Sequence, residues 1–230
     1  APDPQAFITQ VAPQIRGMAL GGHTRVGDAF VSQFPNLEIV SSLGVGYDHI
    51  DAYAAAKRGI IVTHTPDVLN EEVADTCLGL VLNAVRQLPQ SERFLRRGDW
   101  LKGNFPLSAS LREKTAGIAG LGRIGKAVAK RLEAFGVRIV YYGRKPQKDV
   151  AYRHYASLPE LASDVDILIS VLPGGADTFH IINADVLKAL GPDGVLINIG
   201  RGTVVDEKAL IDALNNKTIA TAGLDVFEDE

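Results

Sequence analysis

The chain has 230 residues, 46% hydrophobic and 22% charged, with a formal net charge of −3 at pH 7. That length buries one large core or two smaller ones. The slight acidity, with no block of basic residues interleaved with aromatics, argues against a nucleic-acid or anionic-membrane partner and for a small-molecule ligand.

No apolar run reaches the length of a membrane span, and the opening APDPQAFITQ has neither the basic head nor the apolar stretch of a signal peptide, so a cytoplasmic location is expected. The single cysteine, Cys77, excludes an internal disulfide and a cysteine-rich metal site, and no metal is expected. Its apolar neighbours in VADTCLGLVLNAV read as a buried filler.

In chain order, IRGMALGG, LEIVSSLGVGYDHID and GIIVTHTP read as strands, separated by helical patterns at DAFVSQF and DAYAAAKRG. The segment from Asn70 to Arg97 is apolar on more than one face in its first half, as a helix buried between layers would be, and Pro89 bends or ends that half. WLKGNFPLSASLRE has no sustained period and reads as a connection, which places a first domain at 1–102 and a second at 103–230. In the second block, TAGIAGLG, VRIVYYG, DILISVLP, GVLINIG and IATAGLDVF alternate with helical patterns near 123–135, 157–163, 183–190 and 206–214. Alternation of this kind predicts an α/β fold with a parallel, doubly wound sheet.

Gly120, Gly122 and Gly125 form a GxGxxG pattern between a strand and a helix. The first permits the tight turn, the second lets backbone approach a pyrophosphate, and the third lets helix and strand pack closely. The N–H groups at the start of the helix then face the anion. The following strand, RIVYY, commonly ends in such sites with a carboxylate that binds the ribose hydroxyls of NAD and repels a phosphate there. Here the residues are Gly143, Arg144 and Lys145. Arg144 can present a planar guanidinium to a 2′-phosphate and Lys145 adds charge, so NADPH is expected to be preferred over NADH. The alternative is a solvated Arg144 and a Gly143 that serves only the turn.

Arg201 follows an apolar strand at the carboxyl edge, where parallel sheets bind ligands. It can grip a carboxylate bidentately while polarising the neighbouring carbonyl, or tie two loops together. Five stretches, GVGYDHID, GIAGLGRIG, LPGGADT, LINIGRGTVVDEKAL and AGLDVFE, occur in an order that resembles the D-isomer-specific 2-hydroxyacid dehydrogenase family, in particular its bacterial glyoxylate/hydroxypyruvate reductases. The resemblance implies two Rossmann-like domains with a cleft between them. Arg201 would be the catalytic, substrate-binding Arg and Glu230 the acidic partner of a catalytic His. Backbone N–H groups around Leu43, Val45 and Gly46 would hold the substrate carboxylate. Cofactor contacts would come from Gly120, Leu121, Gly122, Arg123, Ile124 and Gly125 at the pyrophosphate and from a wall of Val171, Leu172, Pro173 and Thr178. Ile199, Gly200, Arg201 and Asp225 would lie near the nicotinamide. Val73 stands where the family carries a cofactor-contacting Thr, so that contact is not transferred.

The family's general acid is a His about twenty residues beyond the position of Glu230. None of His23, His49, His64, His154 and His180 takes its place by alignment, and each reads as a surface or hydrogen-bonded residue. His49, in the substrate loop, is the first of them to test. The family's substrate domain also opens with a strand and helix ahead of APDPQAF and receives a final helix. The expectation is therefore a fragment of a longer enzyme, lacking both ends of its substrate domain, exposing apolar surface and reducing 2-oxo acids poorly by itself. The activity implied is transfer of a hydride from NADPH to glyoxylate or hydroxypyruvate by a homodimer. Its rivals are a reductase of a bulkier acid such as hydroxyphenylpyruvate and a dinucleotide-sensing, corepressor-like binding protein.

Overall fold

The computed structural model describes residues 3–21 and 24–230, so His23 lies outside the described residues. The chain divides into two compact units, Ala1–Leu69 and Asn70–Glu230.

The first unit begins with helix α1 (Pro4–Val11), which the sequence reading did not anticipate. Its start is nevertheless written locally: Asp3 accepts from the N–H groups of Gln5 and Ala6, and Pro4 occupies the first turn, where its missing N–H costs nothing. Strands β1 (Gly17–Leu20), β2 (Ile39–Ser42) and β3 (Ile61–Thr63) form a parallel sheet in the order β1-β2-β3. Helices α2 (Asp28–Val31) and α3 (Ala52–Lys57) provide the crossovers. Its core gathers Val26, Val31, Phe34, Leu37, Val40, Ile50 and Ile60.

The second unit opens with α4 (Asn70–Arg86) and α5 (Leu88–Arg96), separated at Gln87, whose φ of 53° is left-handed. The break precedes Pro89 because a proline is tolerated in the first turn of the next helix, where no N–H is needed. Six parallel strands follow: β4 (Thr115–Ala119), β5 (Arg138–Tyr142), β6 (Arg153–Tyr155), β7 (Ile167–Ser170), β8 (Val195–Asn198) and β9 (Thr221–Leu224). Their order is β6-β5-β4-β7-β8-β9, a sheet that grows outward in both directions from β4, as in a dinucleotide-binding fold.

Alternate side chains along these strands feed two cores. Ile118, Ile139, Tyr141, Ile167, Ile169 and Ile197 pack with α4 and α6 (Arg123–Glu133). On the other side Val140, Leu168 and Leu196 pack with α7 (Leu158–Ser163), α8 (Ala184–Leu190) and α9 (Glu207–Asn215). Packing groups α4 with the second unit, to whose core it contributes Ala74, Cys77, Leu78, Val81 and Val85, whereas the aperiodic stretch WLKGNFPLSASLRE places the boundary at 102/103. Among the described residues, no helix is long and apolar enough to cross a membrane.

Candidate functional site

Strand register builds the site. Ala119 of β4 pairs with Tyr142 of β5 and Ser170 of β7, Ser170 with Asn198 of β8, and Asn198 with Leu224 of β9. The next residue on each strand forms a row along the carboxyl edge: Gly143, Gly120, Val171, Ile199 and Asp225. All five were picked from sequence as cofactor residues. The strand order reverses between β4 and β7, the switch point at which parallel sheets bind ligands.

The three glycines differ in what a side chain would meet. Gly120 has φ of +96°, and a Cβ there would lie 2.9 Å from the Val171 carbonyl oxygen. A Cβ on Gly125 would lie 2.3 Å from the Gly120 carbonyl oxygen, so helix and strand touch there. Gly122 has nothing within 4 Å of its would-be Cβ. It immediately precedes α6, whose N-terminus carries no side-chain cap. An open glycine beside an uncapped helix start fits a pyrophosphate. Leu121 is buried, and the helix residues Arg123 and Ile124 lie between Gly122 and Gly125. Ser170 Oγ, at the end of β7, is a buried oxygen without a hydrogen-bond partner among the described residues.

The loop after β5 is held from three sides. His154 Nε2 lies 2.8 Å from the Gly143 carbonyl, so the imidazole donates there. The Gln147 N–H donates to the Tyr141 hydroxyl at 2.7 Å, and Gln147 Nε2 donates to the Leu121 carbonyl at 2.7 Å, joining this loop to the glycine turn. Lys126 pairs with Asp149 at 2.5 Å, and that partner holds the Asp149 carboxyl below its ordinary range. Arg144 and Lys145 are exposed between these anchors, and neither has an ion-pair partner among the described residues.

Beyond β7, the Thr178 hydroxyl donates to the Pro173 carbonyl at 2.6 Å and closes the loop that starts at Val171 and Leu172. A Cβ on Gly200 would lie 2.4 Å from the Leu172 carbonyl oxygen, so Ile199 and Gly200 pack directly on that wall. Buried Asn198 organises the turn after β8: its amide donates to the Arg201 carbonyl at 2.9 Å and its oxygen accepts the Gly200 N–H at 3.2 Å. Arg201 Nη1 donates to the Gly200 carbonyl at 2.9 Å. The Asp225 N–H donates to the Asn198 carbonyl at 3.0 Å, placing Asp225 beside the same turn. Glu230 accepts the Phe227 N–H at 2.9 Å and is exposed. Behind this edge Cys77 is buried, and burial, with a contribution from Asp225, pushes its thiol up to about 12, which fits the filler expected.

The four described imidazoles each have a structural partner. His49 meets buried Ser42 at 3.2 Å, His64 the Val45 carbonyl at 2.9 Å, His154 the Gly143 carbonyl, and His180 the Glu228 carboxylate at 3.1 Å.

In the first unit, Leu43, Val45 and Gly46 lie on the loop after β2. The Leu43 N–H donates to the Leu20 carbonyl at 2.9 Å, in the extension of the β1–β2 ladder. The Gly44 N–H donates to Thr65 Oγ1 at 3.0 Å. The N–H groups of Val45 and Gly46 have no partner among the described residues.

Sequence reading missed the residues that hold others in place. Asn198 had a signal, a polar residue closing the apolar run VLIN. Gln147, His154 and Thr65 had none, because their partners are backbone atoms distant along the chain.

Comparison with known proteins identifies the family. Residues 3–152 match the family model for the catalytic domain of D-isomer specific 2-hydroxyacid dehydrogenases, and residues 78–230 match that for their NAD-binding domain. Glyoxylate/hydroxypyruvate reductase A of Arabidopsis thaliana is 45% identical over all of this chain and 74% of its own length. Hydroxyphenylpyruvate reductase of Plectranthus scutellarioides is 44% identical over 100% of this chain and 73% of its own. Among solved structures, the NADPH-dependent glyoxylate/hydroxypyruvate reductase of Sinorhizobium meliloti, in complex with NADP and malonate, is 55% identical with a TM-score of 0.88, covering 94% of this chain and 68% of that one.

Proposed function

Because the chain belongs to the D-isomer-specific 2-hydroxyacid dehydrogenase family, we propose that the protein reduces glyoxylate or hydroxypyruvate to the D-2-hydroxy acid with NADPH as donor. The observation that carries the reading is the row of five positions along one carboxyl edge of the sheet, with the open Gly122 turn following β4 and Arg201 following β8.

A bound reduced nicotinamide supplies a hydride from its C4 to the keto carbon, leaving the oxidised ring. The C=O π pair then comes to rest on oxygen, which takes up a proton. Arg201 binds the substrate carboxylate and stabilises the charge developing on that oxygen. Val45 and Gly46 offer backbone N–H groups to the carboxylate. Glu230 favours the protonated form of the family's general-acid His. Arg144 and Lys145, exposed and without ion-pair partners among the described residues, take the 2′-phosphate and set the preference for NADPH over NADH.

We place the enzyme in the cytoplasm as a homodimer whose subunits meet through the region from Asn70 onward. In that region Leu95, Trp100, Leu101 and Leu107 are exposed. A second reading, reduction of hydroxyphenylpyruvate, is favoured by the similarity to the Plectranthus enzyme. A substrate panel with the full-length protein, following NADPH consumption, separates them. Glyoxylate and hydroxypyruvate should exceed hydroxyphenylpyruvate in kcat/KM, and the reverse order would favour the second reading. NADPH binding without turnover of any 2-oxo acid would point to a sensor.

A further inference from the structure

Two peptide groups in the loop after β2 have their orientation fixed from behind. The described residues contain no cis peptide bond, and a trans peptide sets its C=O and N–H antiparallel. The Gly44 carbonyl accepts the Thr65 N–H at 2.9 Å, so the Val45 N–H in the same peptide points away from β3. The Val45 carbonyl meets His64 Nδ1 at 2.9 Å, so the Gly46 N–H points away from the imidazole. A carbonyl can only accept, which requires the proton on His64 Nδ1. The Tyr47 ring packs on the imidazole with centroids 4.9 Å apart and limits its rotation. Leu43 and Gly44 direct their own N–H groups to Leu20 and Thr65. Among the described residues, two successive donors therefore remain, on Val45 and Gly46.

We propose that His64 is a positioning residue for substrate: by holding the Val45 carbonyl it aims the Gly46 N–H, next to the Val45 N–H that Thr65 aims, at the carboxylate of the 2-oxo acid. The inference rests on the function proposed above and deepens it. His64 touches neither substrate nor cofactor in this role; it keeps the donors preorganised, so that binding substrate requires no reordering of the loop.

The test is steady-state kinetics on the full-length protein with glyoxylate varied at saturating NADPH. His64→Leu keeps bulk beneath Tyr47 and removes the donor, whereas His64→Asn places an amide N–H where Nδ1–H stands. His64→Leu should raise KM for glyoxylate about tenfold with kcat within about threefold. Its Kd for NADPH, read by fluorescence, should be unchanged. His64→Asn should return KM to within about twofold of wild type, since the donor is restored. An unchanged KM in His64→Leu, an Asn variant as impaired as the Leu variant, or a matching loss of NADPH affinity would each overturn the proposal. His64→Ser removes the donor without adding apolar bulk and must show the same rise in KM. If neither Leu nor Ser variant binds NADPH, the imidazole is structural and the proposal fails. Wild-type protein that turns over no 2-oxo acid would overturn the functional reading itself, and this inference with it.

Discussion

At the scale of single residues, Gly122 and Gly125 separate ligand binding from folding. A methyl on Gly122 meets no atom of the described residues within 4 Å, so any steric clash it brings comes from a bound ligand. A methyl on Gly125 must displace the Gly120 carbonyl, 2.3 Å away. Gly122→Ala should lower Tm by no more than about 2–4 °C, the cost of alanine at the N-cap of α6, while weakening NADPH at least about tenfold. Gly125→Ala should lower Tm by several degrees as well, an overpacking cost of about 1–3 kcal/mol. Thermal melts and fluorescence titration check both. The glycine pattern was legible because each glycine answers a local backbone demand. The roles of Gln147 and His154 were not, since each binds a backbone carbonyl 26 or 11 residues away, and nothing in the neighbouring sequence marks such a partner.

At the scale of elements, alternation of apolar runs with helical periods exposed most of the second unit, including β4, β7 and β8, whose residues are all buried. Strand β6 escaped because three residues, Arg153 to Tyr155, are too few to show a period. The break between α4 and α5 was anticipated near Pro89 but falls at Gln87, since propensity marks a boundary only to within a turn. Asp166, just ahead of β7 and at the sheet edge opposite the site, accepts from Lys114 at 2.7 Å and from the Thr115 N–H at 2.8 Å. Burial opposes its charge, yet these partners outweigh it and hold the carboxyl below its ordinary value of 3.8. A depressed folded-state value means stability that is present above the unfolded value and lost as pH falls through the folded one. Asp166→Asn should therefore lower Tm at pH 7, and its gap from wild type should narrow as pH falls below about 4. The NADPH affinity should stay unchanged at neutral pH. A gap independent of pH in melts from pH 7 to 3 would contradict this account of the pair.

At the scale of the whole molecule, the absence of a period located an irregular stretch near 102 but could not show where α4 packs. A helix apolar on several faces is compatible with either neighbour, and the choice is made by contacts such as Leu80 against Gly223 and by Arg131 of α6 pairing with Glu71 and Asp75 of α4. Net charge pointed to a small-molecule ligand but not to a phosphate on it. The chain is slightly acidic overall, yet the loop after β5 presents Arg144 and Lys145 together, and charges within about 10 Å govern what a bound phosphate meets. The most direct measurement is therefore kcat/KM for glyoxylate reduction by the full-length protein with NADPH and with NADH, in wild type and Arg144→Ala. The account predicts that wild type favours NADPH by at least about tenfold, and that the variant loses most of this preference while its NADH activity is kept. A wild-type enzyme that uses NADH equally well or better would contradict it.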